Sequence, residues 1–135
     1  VGSEMCIRDR AEEILETIGL QDRRDVPAAS LAHGEKQWLE IGMVVATDAD
    51  LLLLDEPTAG MGPQDTQRTA ELILSLIGRH AVLVIDHDMS FVEALNGFTT
   101  VLHQGQILKE GSVAEIRADA AVEAVYLGRA KDEVA

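Results

Sequence analysis

The distribution of apolar and polar residues along the chain predicts an irregular start followed by alternating helices and strands. From Ala11, Ile14 and Ile18 recur at the spacing of one helical face, and Gly19 is a typical helix end. Residues 1–10 show no such period. We therefore expect these ten residues to be a non-native or disordered start, outside the folded domain.

Two continuous apolar runs are the strongest strand signals in the chain. Residues 51–54 are four leucines, and residues 81–86 read AVLVID. Uninterrupted runs of this length are typical of strands covered on both faces. Helices are predicted on the amino-terminal side of each run, over residues 34–47 and over residues 63–76, where Pro63 suits a first helical turn.

The rest of the chain is predicted to form a short helix, a β-hairpin that is less buried than the two central strands, and two further helices. These segments cover residues 89–96, 99–103 with 106–111, 112–119 and 120–127. The order of elements indicates an α/β fold with a mainly parallel sheet. We expect a partial domain over residues 11–129 and a frayed tail over residues 130–135.

Polar residues with chemical potential follow both predicted central strands. Asp55 and Glu56 come after the first, and His87 comes after the second. Ligands of parallel sheets collect at the carboxyl ends of strands. There Asp55 could hold Mg²⁺, Glu56 could activate a water, and His87 could bond a γ-phosphate. The alternative is a set of solvated loop side chains.

A third segment, SLAHGEKQW, leads into a predicted helix start. Free backbone N–H groups and the helix dipole favour an anion there, and Gly34 allows close approach to the backbone. Any capped helix looks similar, and His33, His80 and His103 also fit ordinary loop or strand positions.

Composition narrows the class of protein. Hydrophobic residues make up 47% of the chain and aromatic residues 3%, which predicts an aliphatic core. The net charge of −13 and the pI near 4.5 argue against a nucleic-acid partner, although not against a nucleotide. One cysteine, no bilayer-length apolar run and no visible leader favour a cytoplasmic chain.

Together the three segments resemble the ATP-binding subunit of ABC transporters. LAHGEKQ is similar to that family's signature loop, LLLLDEPTAG to its Walker B strand and D-loop, and IDHDM to its switch histidine. HGEKQWLEIGM, AGM and VEAVYLGR most resemble subunits of the branched-chain amino acid and urea importer group, and Trp38 favours the urea type.

The resemblance implies a role for each matching residue and a set of partners. Asp55 would serve Mg²⁺, Glu56 would be the catalytic base and His87 the γ-phosphate sensor. The signature segment would contact ATP held by the opposite subunit of a head-to-tail dimer, and the D-loop segment would lie beside it. The signature segment is Leu31, Ala32, His33, Gly34 and Glu35; the D-loop segment is Ala59, Gly60 and Met61. Membrane permease subunits would hold such a dimer at the inner face of the plasma membrane.

Some positions depart from the family pattern. Ala32 stands where serine is common, Glu35 where glutamine is common, and Gly62 at the usual D-loop aspartate. Moreover, no glycine in the chain is followed by lysine, so the phosphate loop Gly-x-x-x-x-Gly-Lys-Ser/Thr is missing. The sequence is therefore expected to be the carboxyl-terminal half of a P-loop NTPase ABC nucleotide-binding domain, with part of its helical subdomain, and to be inactive alone. A non-transport ABC-type ATPase, an inert interaction module and an unrelated α/β domain remain alternatives.

Overall fold

A computed structural model describes residues 2–132 of the chain, and side chains are described for residues 4–126. The chain forms two compact units that divide after Phe91. The first contains α1 (Gly2–Thr17), α2 (His33–Val45), β1 (Leu51–Asp55), α3 (Pro63–Leu76) and β2 (Ala81–Ile85). The helix α4 (Met89–Leu95) crosses the division, and the second unit continues with β3 (Thr99–His103), β4 (Gln106–Gly111), α5 (Val113–Arg117) and α6 (Ala120–Asp132). No described helix is both long enough and apolar enough to cross a bilayer.

The helix α1 begins earlier than the sequence pattern predicts. It runs back to Gly2 through the segment expected to be irregular. Residues 4–9 are all exposed. Because this part of the helix has no buried face, its sequence lacks the apolar periodicity by which a helix is predicted. At the other end of the chain, α6 continues to Asp132 rather than ending near Leu127, and residues 133–135 lie outside the described part.

The two helices α1 and α2 pack closely at a glycine. A Cβ atom on Gly42 would lie 2.8 Å from Cδ1 of Ile18 and 3.1 Å from Cγ2 of Ile14. Both isoleucines are buried, as predicted for the apolar face of α1. The small residue therefore lets the backbone of α2 approach the side chains of α1.

The strands β1 and β2 pair in parallel, with Leu51 opposite Ala81 and Asp55 opposite Ile85. Leu52 is fully buried and Leu54 nearly so, and the buried side chains of α3 include Ile73 and Leu76. This face of the sheet belongs to the core of the first unit.

The prediction that both strands are covered on both faces is wrong. The side chains on the opposite face are exposed: Leu51, Leu53, Leu83 and Ile85 have exposed fractions of 51–63%. Alternate residues of a strand point to opposite faces, and the first unit buries only the face that carries Leu52 and Leu54. An apolar sheet face is thus left open in the described chain.

The second unit is built on the predicted hairpin. β3 and β4 pair antiparallel, and Gln104 and Gly105 between them both have positive φ, the conformation in which a two-residue turn matches the right-handed twist of the flanking strands. Ser112 stands three residues before Glu115, a spacing that predicts a capping box, and the structure confirms it: Ser112 accepts from the Glu115 N–H and the Glu115 carboxylate accepts from the Ser112 N–H.

Candidate active site

The turn after β1 holds Glu56 in an unusual backbone conformation. Glu56 has a φ of 47°, the left-handed region that non-glycine residues rarely adopt. Its N–H donates to the carbonyl of Ile85 at 2.7 Å, which extends the contact between the strands by one residue. Pro57 and Thr58 follow and are buried. The strained residue is therefore fixed on both sides, as is common where strain serves a function.

His87 lies beside this glutamate. Its Nδ1 atom is 3.4 Å from Oε1 of Glu56 and 3.9 Å from Oδ1 of Asp86. The side chains of Glu56 and His87 are 54% and 65% exposed, so both face solvent. Because Asp55 and Ile85 are opposite each other, the residues after the two strands meet at one sheet edge. The structure thus brings Asp55, Glu56 and His87 to one place.

The loop that carries His87 is organised by two further aspartates. The side chain of Asp86 is only 2% exposed and accepts hydrogen bonds from the Thr58 hydroxyl and from the backbone N–H groups of His87 and Asp88. Asp88 accepts from the hydroxyl and N–H of Ser90 and from the N–H of Phe91 at the start of α4. The Ser90 hydroxyl is the main cause of the lowered pKa of Asp88.

The signature segment forms the start of α2. Leu31 and Gly34 are buried, and Ala32 is the N-cap residue in extended conformation. Alanine has no side-chain acceptor for a backbone N–H of the first turn. Only the reverse hydrogen bond of a capping box is made, in which the Glu35 carboxylate accepts from the Ala32 N–H at 2.9 Å. Arg23 pairs with Glu35 at 3.0 Å.

The charge of Glu35 is therefore compensated within the chain. The hydrogen bond from the Ala32 N–H is the largest cause of its lowered pKa, and Arg23 adds to the effect. The sequence predicts an extra negative charge near a nucleotide at this position. In the structure that carboxylate is turned back onto its own helix start.

A hydrogen bond joins the signature segment to the D-loop segment. The Nε2 atom of His33 is 2.8 Å from the carbonyl oxygen of Ala59, and a carbonyl only accepts, so Nε2 carries the hydrogen. Gly60 has a φ of 73°, and a Cβ there would lie 3.2 Å from the same ring nitrogen. These two segments, separate in sequence, lie side by side.

Trp38 contributes a second connection to the D-loop segment. It is buried, and its indole N–H donates to the Thr69 hydroxyl at 2.9 Å. The Thr69 oxygen is also 3.2 Å from the sulfur of Met61. The guanidinium of Arg68 lies over the indole, 4.0 Å from the ring centre. Trp38 is thus a core residue with a satisfied N–H group.

Comparisons with known proteins identify the fold of the chain. Residues 4–59 match the family described as "ABC transporter". The chain is 28% identical to MJ1267 in its ADP conformation, an ATP-binding cassette of an ABC transporter, with a TM-score of 0.80 over 89% of this chain and 49% of that one. CbiO1 of Clostridium perfringens, part of the transporter complex cbiONQ, gives a TM-score of 0.79 at 26% identity, over 88% of this chain and 48% of that one. The fold is that of part of an ABC ATPase domain.

This chain also covers about half of its curated relatives. The high-affinity branched-chain amino acid transport ATP-binding protein LivG of Salmonella typhimurium is 40% identical over 90% of this chain and 49% of its own length. The corresponding BraF of Pseudomonas aeruginosa is 35% identical over 95% of this chain and 51% of its own length. The chain thus spans about half the length of these relatives.

The donor chemistry at the sheet edge fits the magnesium ion that an ABC ATPase uses with ATP. Asp55 is exposed, and among the side chains described none donates a hydrogen bond to it. No described group of three His, Cys, Asp or Glu residues could form a closed metal cage. Mg²⁺ is commonly held by one or two carboxylates, with phosphate oxygens and waters completing its shell. One free carboxylate suits that mode.

Sequence reasoning gave no role to two residues of this edge, Thr58 and Asp86. Thr58 lies in the recognised DEPTAG segment and Asp86 directly precedes His87, but the hydrogen bond between them spans 28 positions. The only available signal was that both lie at or just after the carboxyl ends of the predicted strands, as the recognised residues do.

Proposed function

We propose that the chain is part of the ATP-hydrolysing, energy-coupling subunit of an ABC importer for branched-chain amino acids. The relatives' names support the substrate class, since LivG and BraF are both named as branched-chain amino acid transport ATP-binding proteins. The urea-type alternative depends on Trp38. The burial of this residue and its hydrogen bond to Thr69 are enough to explain a tryptophan here by packing, so Trp38 does not favour urea.

The observation that carries the proposal is the 3.4 Å approach of His87 to Glu56 at the carboxyl edge of a parallel sheet. Glu56 is exposed and accepts no hydrogen bond from the described side chains, so its carboxylate is available to orient or deprotonate a water. The His87 ring, equally exposed, is free to donate to a terminal phosphate oxygen.

Each remaining site residue has a place in this proposal. Asp55 would hold Mg²⁺, which supplies charge neutralisation for the triphosphate. The signature segment would bind ATP of a second ATP-binding subunit in a head-to-tail dimer, through backbone N–H groups at the start of α2. Because a hydrogen bond joins His33 to Ala59, the D-loop segment would approach that nucleotide together with the signature segment.

The partners of the whole subunit follow from the same proposal. Permease subunits would bind the dimer at the inner face of the plasma membrane, and the transported solute would contact them rather than this chain. The 135-residue chain contains no Gly-Lys pair, so we propose that it supplies the second half of the nucleotide site and needs a phosphate loop from elsewhere in the subunit.

The test is Mg·ATP hydrolysis by the full-length subunit, meaning the protein that contains this sequence together with a phosphate loop. Glu56→Gln keeps the size of the side chain and removes its basicity, so we expect a loss of kcat of about 100-fold or more. Glu71→Gln, an exposed glutamate of α3, is the matched control and should hydrolyse ATP at the wild-type rate. Equal rates for the wild type and Glu56→Gln would reject the proposal.

A further inference from the structure

A buried carboxylate connects the two turns of the candidate site. The side chain of Asp86, in the turn after β2, is 2% exposed, and no described lysine or arginine lies within ion-pairing distance; the exposed imidazole of His87 is 3.9 Å away. Desolvation of a carboxylate is unfavourable unless hydrogen bonds or a charged partner compensate for the lost water. Asp86 therefore depends on the donors that surround it.

Those donors come from both turns. The Thr58 hydroxyl, in the turn after β1, donates to Oδ2 of Asp86 at 2.7 Å. The N–H groups of His87 and Asp88 donate to Oδ1 at 2.8 and 3.0 Å. Thr58 is itself buried, with an exposed fraction of 6%, so this contact is shielded from water. Hydrogen bonds to a charged acceptor are among the stronger ones in proteins.

The arrangement links the turn that carries Glu56 to the turn that carries His87. Glu56 stands two residues before Thr58, and His87 follows Asp86 directly, so the Thr58–Asp86 bond closes a bridge across the sheet edge. The two exposed side chains make only a 3.4 Å approach with each other. The buried hydrogen bond beneath them is therefore the firmer link between the two turns.

We propose that Thr58 and Asp86 are positioning residues that hold His87 facing Glu56 for ATP hydrolysis. Neither needs to touch the nucleotide. This inference depends on the proposed function of Glu56 and His87 and adds the residues that set their geometry. Misplacement of a catalytic group by about 1 Å is enough to reduce a rate by roughly 100-fold.

The experiment compares two substitutions of Thr58 in the full-length subunit. Thr58→Val keeps the shape of the side chain and removes the hydroxyl donor, whereas Thr58→Ser keeps the donor and removes a methyl group. We expect Thr58→Val to lower kcat by about 10- to 100-fold with little change in KM for ATP, and Thr58→Ser to stay within about threefold of the wild type.

The hairpin of the second unit offers a matched control. The Thr100 hydroxyl donates to the Glu110 carboxylate at 2.9 Å, so Thr100→Val removes the same kind of bond between residues that are not part of the candidate site. We expect this variant to keep the wild-type kcat. Thermal unfolding of each variant establishes that the proteins compared are folded.

Asp86→Asn provides a second variant if Thr58→Val does not fold. It keeps an oxygen for the N–H groups of His87 and Asp88 but replaces the oxygen that accepts from the Thr58 hydroxyl with an NH2 group, so kcat should fall below the wild-type value with little change in KM for ATP. The inference is overturned if both folded variants keep the wild-type kcat, if Thr58→Ser loses as much as Thr58→Val, or if KM alone changes. Glu56→Gln, assayed in parallel, tests the proposed function separately: if it matches the wild type, the function itself is rejected.

Discussion

Nδ1 of His87 lies 3.4 Å from Oε1 of Glu56, although the two residues follow different strands of the sheet. The parallel register of β1 and β2 brings the ends of these strands level. The left-handed conformation of Glu56 and the buried Thr58–Asp86 hydrogen bond shape the turns that carry the two side chains. The carboxylate that we propose as the base and the ring that we propose as a hydrogen-bond donor to phosphate thereby lie at one edge.

The isolated 135-residue chain should not hydrolyse Mg·ATP, because no lysine in a glycine loop is available to neutralise the phosphates. Phosphate release by the wild-type chain should equal that of the same chain with Glu56→Gln. Turnover that disappears in the Glu56→Gln chain would show that the chain contains a complete site.

The isolated chain should self-associate through the open face of its parallel sheet. Leu53 is 63% exposed at the centre of β1, within an apolar patch formed by both strands. Leu53→Thr keeps β propensity and removes apolar surface, so it should raise the monomer fraction in sedimentation velocity. Leu74→Thr, a change at a 41% exposed leucine of α3, is the control and should not raise it. A wild-type chain that is monodisperse and melts cooperatively as a monomer would contradict this expectation.

The free energy of unfolding should fall in acid, partly because Glu35 becomes protonated. Its pKa is lowered in the folded chain, first by the Ala32 N–H and then by Arg23. A carboxylate whose pKa is lower in the folded state than in the unfolded state stabilises the fold above its ordinary pKa near 4.5. That contribution is lost as the pH falls through the lowered value.

The measurement is urea unfolding at a series of pH values, followed by the fluorescence of Trp38, the single tryptophan. Glu35→Gln should lose less stability than the wild type on acidification from about pH 6 to about pH 3. Glu40→Gln, at an exposed position of the same helix, should follow the wild type. If the free energy of unfolding depends on pH in the same way for Glu35→Gln and the wild type, the contacts of Glu35 with Ala32 and Arg23 do not stabilise the fold.

Local signals in the sequence were sufficient for much of the fold. The helix α3 has its predicted bounds, because Pro63 starts it and Gly78 follows its end. The hairpin and the capping box at Ser112 were equally local. The open face of β1 was not predictable, since an apolar run reports that a strand is suited to burial and not which of its faces is covered.

The recognised motifs identified the strand ends of the candidate site but not the bonds between them. The His33–Ala59 contact spans 26 positions and the Thr58–Asp86 bond 28. Spacing along a chain carries no information about such pairs until the sheet register is known. The compensation of Glu35 by Arg23 was missed for a related reason, because Arg23 lies in a loop whose path the sequence does not define.

The binding preference of the full-length subunit for ATP over ADP tests the central claim most directly. We would measure both dissociation constants in the Glu56→Gln background, so that ATP is not consumed. If the His87 ring donates to the γ-phosphate, His87→Ala should reduce the ATP-over-ADP preference by about 10- to 100-fold, while His103→Ala should leave it unchanged. An unchanged preference in His87→Ala would contradict the proposed site.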